Sequence, residues 1–143
     1  GIIMSNLLVE IKRTNQKVRF EGVSVDNPDI TIPFDFAPPY GDGRGFGGPE
    51  LLLMSFAGCV STAIVFLLNE TGKHITSYSA KFEGVRVEKP LSLSTIKFHI
   101  SVVSEDLTNE DVEGVIKAAA DLSPVWLAVK NNVAVETSYE ISR

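Results

Sequence analysis

The stretch P-E-L-L-L-M-S-F-A-G-C-V-S-T-A-I-V-F-L-L-N-E-T-G, residues 49–72, decides the fold. Pro49 suits a first helical position, where no amide hydrogen is needed, and Gly72 suits the left-handed residue just past a helix end. No residue between Leu51 and Leu68 is charged, and the only cysteine, Cys59, falls inside that run. A helix apolar on every side must be buried on every side, so the sequence predicts a central core helix wrapped by the other elements. The run is also long enough to span a membrane. Ser55, Gly58, Ser61 and Thr62 dilute it, and neither a basic flank nor a second span accompanies it. A core helix is the preferred reading, with no membrane partner.

The remaining totals set broad limits. A chain of 143 residues reads as one domain over 1–143, large enough for a real core. Thirteen basic against eighteen acidic residues leave a net charge of −5, which argues against nucleic acid or an anionic membrane surface as partner. One cysteine cannot form an internal disulfide, so nothing suggests a stapled, secreted domain. The opening G-I-I-M-S lacks the basic-then-apolar layout of a leader, and a cytoplasmic location is expected.

On the N-terminal side of the helix, Leu7, Val9 and Ile11 alternate with Leu8, Glu10 and Lys12, which is strand periodicity. Thr14-Asn15-Gln16 is a turn, and Val18, Phe20, Val23 and Val25 continue beyond it. A phase change at Glu21-Gly22 predicts a bulge. Asn27-Pro28 breaks the chain before Ile30, Ile32 and Phe34, completing an antiparallel meander. Residues 35–48 then form a loop rich in proline and glycine. Gly43-x-Gly45-x-x-Gly48 fits the dinucleotide fingerprint as a string, but Pro38, Pro39 and Tyr40 are not a strand leading into it. A flexible surface loop is expected, in which Arg44 could touch a small anion.

Beyond the helix, residues 74–89 and 91–105 read as two long strands joined at Lys89-Pro90. Tyr78, Ala80 and Phe82 share a face, and Gly84 shifts the phase to Val85 and Val87. Ile96, Phe98, Ile100 and Val102 line one face of the partner strand. His99 falls on the other and reads as a solvated histidine, as does His74, because no second ligand is spaced to join either one. No metal or cofactor is therefore expected. Thr108–Asp111 has the form of a capping box, with Asp replacing the usual Glu or Gln, and opens a helix carrying Val112, Val115, Ile116 and Ala119. Ser123 caps a third, short helix with Pro124 in its first turn. Val133, Val135, Thr137, Tyr139 and Ile141 form the last strand, giving the order β-β-β-α-β-β-α-α-β.

Two readings stand for Cys59: a small hydrophobe in a core helix, or a reactive thiol. The second needs a cation or a helix N-terminus beside the sulfur. Its own helix end, near Glu50, lies roughly 13 Å away at about 1.5 Å per residue, so the cation must come from another element or another subunit.

The run P-E-L-L-L with Gly58-Cys59, the L-S-P-V at residues 122–125 and the closing V-x-V-E-x-S-Y-E-I resemble the OsmC/Ohr family, as does the element order. That resemblance implies an α+β fold in which antiparallel sheets are wrapped around a long central helix and two subunits intertwine as a homodimer. It implies reduction of organic hydroperoxides or hydrogen peroxide by a cysteine pair at the dimer interface, supported by an arginine–glutamate pair, without a cofactor. Carried over, Cys59 matches the peroxidatic cysteine, Glu50 the glutamate, and Arg19 is the nearest candidate for the arginine. Glu50 stands one residue nearer the cysteine than in the hydroperoxide branch and matches another OsmC-like branch. Ser123 occupies the resolving position of the family's C-P-V motif, which makes a two-cysteine cycle chemically impossible within this chain. The resemblance therefore points to a one-cysteine peroxidase whose partners are a small-molecule peroxide, an external thiol reductant and a second subunit. The alternative is a degenerate stress-response protein that binds a small apolar ligand without turnover. A sulfenic or persulfide sensor is a third reading.

Overall fold

The computed structural model of the chain describes residues 5–143. Residues 1–4, which carry most of the reading that a leader is missing, lie outside them. Among the described residues the elements are β1 (Val9–Arg13), β2 (Phe20–Ser24), β3 (Asn27–Phe34), α1 (Gly48–Glu70), β4 (Ser77–Glu88), β5 (Leu91–Val103), α2 (Asn109–Leu122), α3 (Pro124–Val129) and β6 (Ala134–Ser142). This is the expected order. The chain divides into two compact units, Gly1–Leu51 and Leu52–Arg143.

In the first unit β1, β2 and β3 form the antiparallel meander. Its second hairpin turns at Val25 and Asp26, so Val25 leaves the strand and Asn27-Pro28 opens β3 instead of breaking the chain. Proline is tolerated there because β3 is an edge strand and Pro28 is its second residue. The register shift falls between Val23 and Ser24, beyond the expected Glu21-Gly22. Gly22 instead makes room for a side chain, since a Cβ at that position would lie 3.3 Å from the Phe34 ring that crosses it. The sheet leaves apolar side chains open, with Val9 72% and Ile30 63% exposed.

The 35–48 loop, expected to be flexible, is built around one carboxylate. The Asp35 side chain is wholly buried. It accepts hydrogen bonds from the backbone N–H groups of Phe36 at 2.8 Å, Asp42 at 3.2 Å and Arg44 at 3.1 Å, and faces Arg19 Nε at 3.7 Å. Burial pushes the Asp35 carboxyl up, but the three amides and the Arg19 charge outweigh it and hold it below the usual carboxylate range. A Cβ on Gly41 would lie 2.1 Å from the Phe36 carbonyl oxygen, so only glycine fits. The Arg44 amide, the one of the three that lies within the Gly43-x-Gly45-x-x-Gly48 string, thus serves an anion of the chain itself.

The second unit holds the sheet β4-β5-β6. β4 and β5 pair antiparallel, with a register shift between Val85 and Arg86, just past Gly84. β5 and β6 pair parallel, so this sheet is mixed and not wholly antiparallel as expected. The reason is the connection: α2 and α3 form a helical crossover, which returns the chain to the starting end of β5. Ile96, Phe98, Ile100 and Val102 line the buried face of β5, and Val112, Val115, Ile116 and Ala119 cover it from α2. The capping box forms as read, with Thr108 accepting from the Asp111 N–H and Asp111 from the Thr108 N–H.

Within the chain α1 is not buried on every side. Phe56, Val60, Ile64 and Leu68, one residue per turn, form its buried stripe, while Leu52, Met54 and Phe66 are exposed. By length and composition α1 is the one helix among the described residues able to cross a membrane. Its buried stripe nevertheless packs into the core of its own unit. The contact is aromatic: the Phe56 ring centroid lies 6.0 Å from Phe82, 6.4 Å from Phe98 and 5.6 Å from Trp126.

Phe56→Ala leaves a cavity under three rings and should cost about 3–5 kcal/mol in urea unfolding. A pH-dependent effect is expected at Asp111, which pairs with Lys73 and has a carboxyl lowered from 3.8 to about 2. The Lys73 hydrogen bond is the main cause, followed by the Thr108 N–H, against burial. A depressed folded value stabilises the protein above the unfolded value and is lost as pH falls through the folded one. Asp111→Asn should therefore lower the melting temperature at pH 7, and the gap from wild type should close as melts are repeated from about pH 4 down to about pH 2.

Candidate active site

Cys59 lies in the middle of α1 and is partly buried. Its sulfur meets a hydroxyl: Ser123 Oγ donates to Cys59 Sγ at 3.1 Å. Ser123 itself is fully buried and sits at the junction of two helices. Its N–H closes α2 on the Ala119 carbonyl at 2.9 Å, and its Oγ caps α3 by accepting from the Trp126 N–H at 3.4 Å. Trp126 is in turn seated against Phe56 and against Phe98, 5.8 Å away. The aromatic cluster that anchors α1 thus also locates the hydroxyl that faces its cysteine.

The other two candidates have local partners. Arg19 immediately precedes β2 and faces the Asp35 carboxylate, not Glu50. Its Nε is buried and makes no hydrogen bond among the described residues, so the 3.7 Å contact is purely electrostatic. Glu50, in the first turn of α1, accepts from the Gly47 N–H at 3.0 Å, half of a capping box at the start of the helix. Of the three residues singled out, each is held by its own neighbourhood: Arg19 by Asp35, Glu50 by Gly47, Cys59 by Ser123.

The histidines stand where the periodicity put them. His99 lies on the solvent side of β5, with Nδ1 2.8 Å from Ser138 Oγ and Nε2 3.4 Å from Glu140. Ser101 and His99 together hold the Glu140 carboxyl down. His74 is exposed and uses its backbone, donating N–H to Asp106 at 3.2 Å. No cluster of three or more His, Cys, Asp or Glu among the described residues could hold a metal.

Sequence reading misses Asp35, whose only signal is a lone acid before a glycine-rich loop. It also misses the contact between Ser123 and Cys59. A cap, or a counterpart of the resolving cysteine, belongs near a helix end, but neither reading says what the serine hydroxyl touches.

The fold compares closely with solved proteins. An OsmC-like protein from Mycoplasma pneumoniae superposes with a TM-score of 0.81 at 14% identity, covering 99% of this chain and 100% of that one. An organic hydroperoxide resistance protein OsmC from Legionella pneumophila gives 0.75 at 16% identity, covering 99% and 100%. The organic hydroperoxide resistance protein OhrB of Bacillus subtilis gives 0.63 at 18%, covering 95% and 98%. No curated protein matches the chain. The sequence profile described as OsmC-like protein matches residues 41–138, which include α1 with Cys59 and the α2–α3 junction with Ser123. With an α+β fold of two small sheets and a central helix, and with that profile spanning well over half its length, the chain belongs to the OsmC-like protein family.

Proposed function

We propose that this protein is a thiol-dependent peroxidase of the OsmC/Ohr type, in which Cys59 alone reduces an organic hydroperoxide and an external thiol restores it. The observation that carries the reading is the placement of Cys59. A thiol on the central helix meets a buried hydrogen-bond donor at the position where the family resemblance puts a second cysteine. In the reaction the thiolate attacks the terminal peroxide oxygen, an S–O bond forms, and the O–O bond breaks. The alkoxide leaves and takes a proton from solvent, and Cys59 is left as a sulfenic acid.

The resemblance gives Arg19 the role of favouring the thiolate and the charge on the departing oxygen, and Asp35, not Glu50, is the carboxylate that faces its guanidinium. A second copy of the chain is part of the proposal, because the exposed apolar side chains of β1–β3 and of α1 are too many for a monomer to leave in water. The thiol-rich cytoplasm is the matching location, since it supplies the reductant.

One observation favours the alternative of a ligand-binding protein. An open groove of about 600 Å³ on the β1–β3 unit is lined by Val9, Ile11, Val23, Ile30, Ile32 and Phe34, a surface suited to a small apolar ligand.

Mass spectrometry after one equivalent of an alkyl hydroperoxide separates the two. The peroxidase gives a sulfenic acid or its dimedone adduct on Cys59, and a dithiol sustains turnover that Cys59→Ser abolishes and Arg19→Met slows by about 10²-fold. A protein whose peroxide consumption stays at background, with ligand affinity unchanged in Cys59→Ser, is the binder.

A further inference from the structure

Ser123 does more than cap a helix. We propose that its hydroxyl holds the Cys59 thiolate, and that because it is not a sulfur it keeps the Cys59 sulfenic acid open to a small outside thiol. The proposal rests on the peroxidase reading above and specifies how that site is resolved.

A serine hydroxyl carries a single proton and two acceptor positions. The Ser123 Oγ accepts from the Trp126 N–H at 3.4 Å and donates its one proton to Cys59 Sγ at 3.1 Å. The residue is fully buried, so no water competes for it. Its main chain is fixed on one side by the last turn of α2 and on the other by the first turn of α3, which is anchored through Trp126 on Phe56. A donor held in place costs no reordering when charge appears on the sulfur. A hydrogen bond from a hydroxyl to a thiolate is charge-assisted and favours the ionised form.

The same geometry sets the second step. After attack on the hydroperoxide the sulfur has lost two electrons to the peroxide and carries a hydroxyl. A thiol at position 123 would close an S–S bond and expel water, but a serine oxygen cannot reduce the sulfenic acid. An external thiolate must attack the Cys59 sulfur, forming a mixed disulfide while hydroxide leaves and is protonated to water. A second thiol then displaces Cys59 as thiolate and departs as the oxidised disulfide. Because Cys59 is only partly exposed, the reductant is a small thiol.

The experiment reads the sulfur directly. The rate of Cys59 alkylation by iodoacetamide at fixed pH should fall by about tenfold in Ser123→Ala and return in Ser123→Thr, which keeps both donor and cap. A purely structural serine would lower the melting temperature of Ser123→Ala and leave that rate unmoved, which overturns the proposal. Ser123→Cys, given one equivalent of alkyl hydroperoxide, should lose the dimedone-reactive sulfenic acid by at least about tenfold in favour of an intrachain disulfide. Persistence of the sulfenic acid in that variant overturns the second half. Alkylation needs no peroxide, so the two readings fail separately. An alkylation rate that depends on Ser123, in a protein that never gives a sulfenic acid, sinks the peroxidase and leaves the hydrogen bond standing.

Discussion

The contact of Phe56 with Phe82, Phe98 and Trp126 joins four elements at one point: α1, β4, β5 and α3. Rings at these separations gain from both area and edge-to-face geometry, and a shift of any one element is felt by the others. Cys59 stands one turn along α1 from Phe56, and Ser123 stands one turn before Trp126. The distance between the sulfur and the hydroxyl is therefore a consequence of core packing. No loop sets it, and the site inherits the rigidity of the best-packed part of its unit.

A second constraint is what the core leaves uncovered. The buried stripe of α1 is a single row, and a helix without charge from Leu51 to Leu68 has far more apolar surface than one row can hide. The meander of β1–β3 presents the same excess. Hydrophobic surface on this scale is a driving force for association, and the proposed second copy is its simplest satisfaction.

The buried charge of the first unit, by contrast, is closely matched. A wholly buried carboxylate is unfavourable in isolation, and Asp35 is stabilised by three amides and the Arg19 guanidinium. The arrangement fixes a glycine-rich segment that would otherwise have many conformations, and it gives Arg19 a defined position. The 35–48 loop is thus one of the more constrained parts of its unit.

Sequence alone determined whatever depends on neighbours along the chain. The capping box at Thr108, the Ser123 cap, the left-handed Gly72 with a φ of 75° and the inward faces of β5 and α2 are all local consequences of residue type and period. The OsmC-like resemblance was likewise legible, because its motif lies within one helix and one helix start. Tertiary structure decided what depends on residues far apart. The parallel pairing of β6, the anchoring of the 35–48 loop on Asp35 and the meeting of Cys59 with Ser123 each join segments whose separation in sequence carries no periodic signal. A hydrogen bond 64 positions long leaves no trace in local pattern, because only the packed core brings its two ends together.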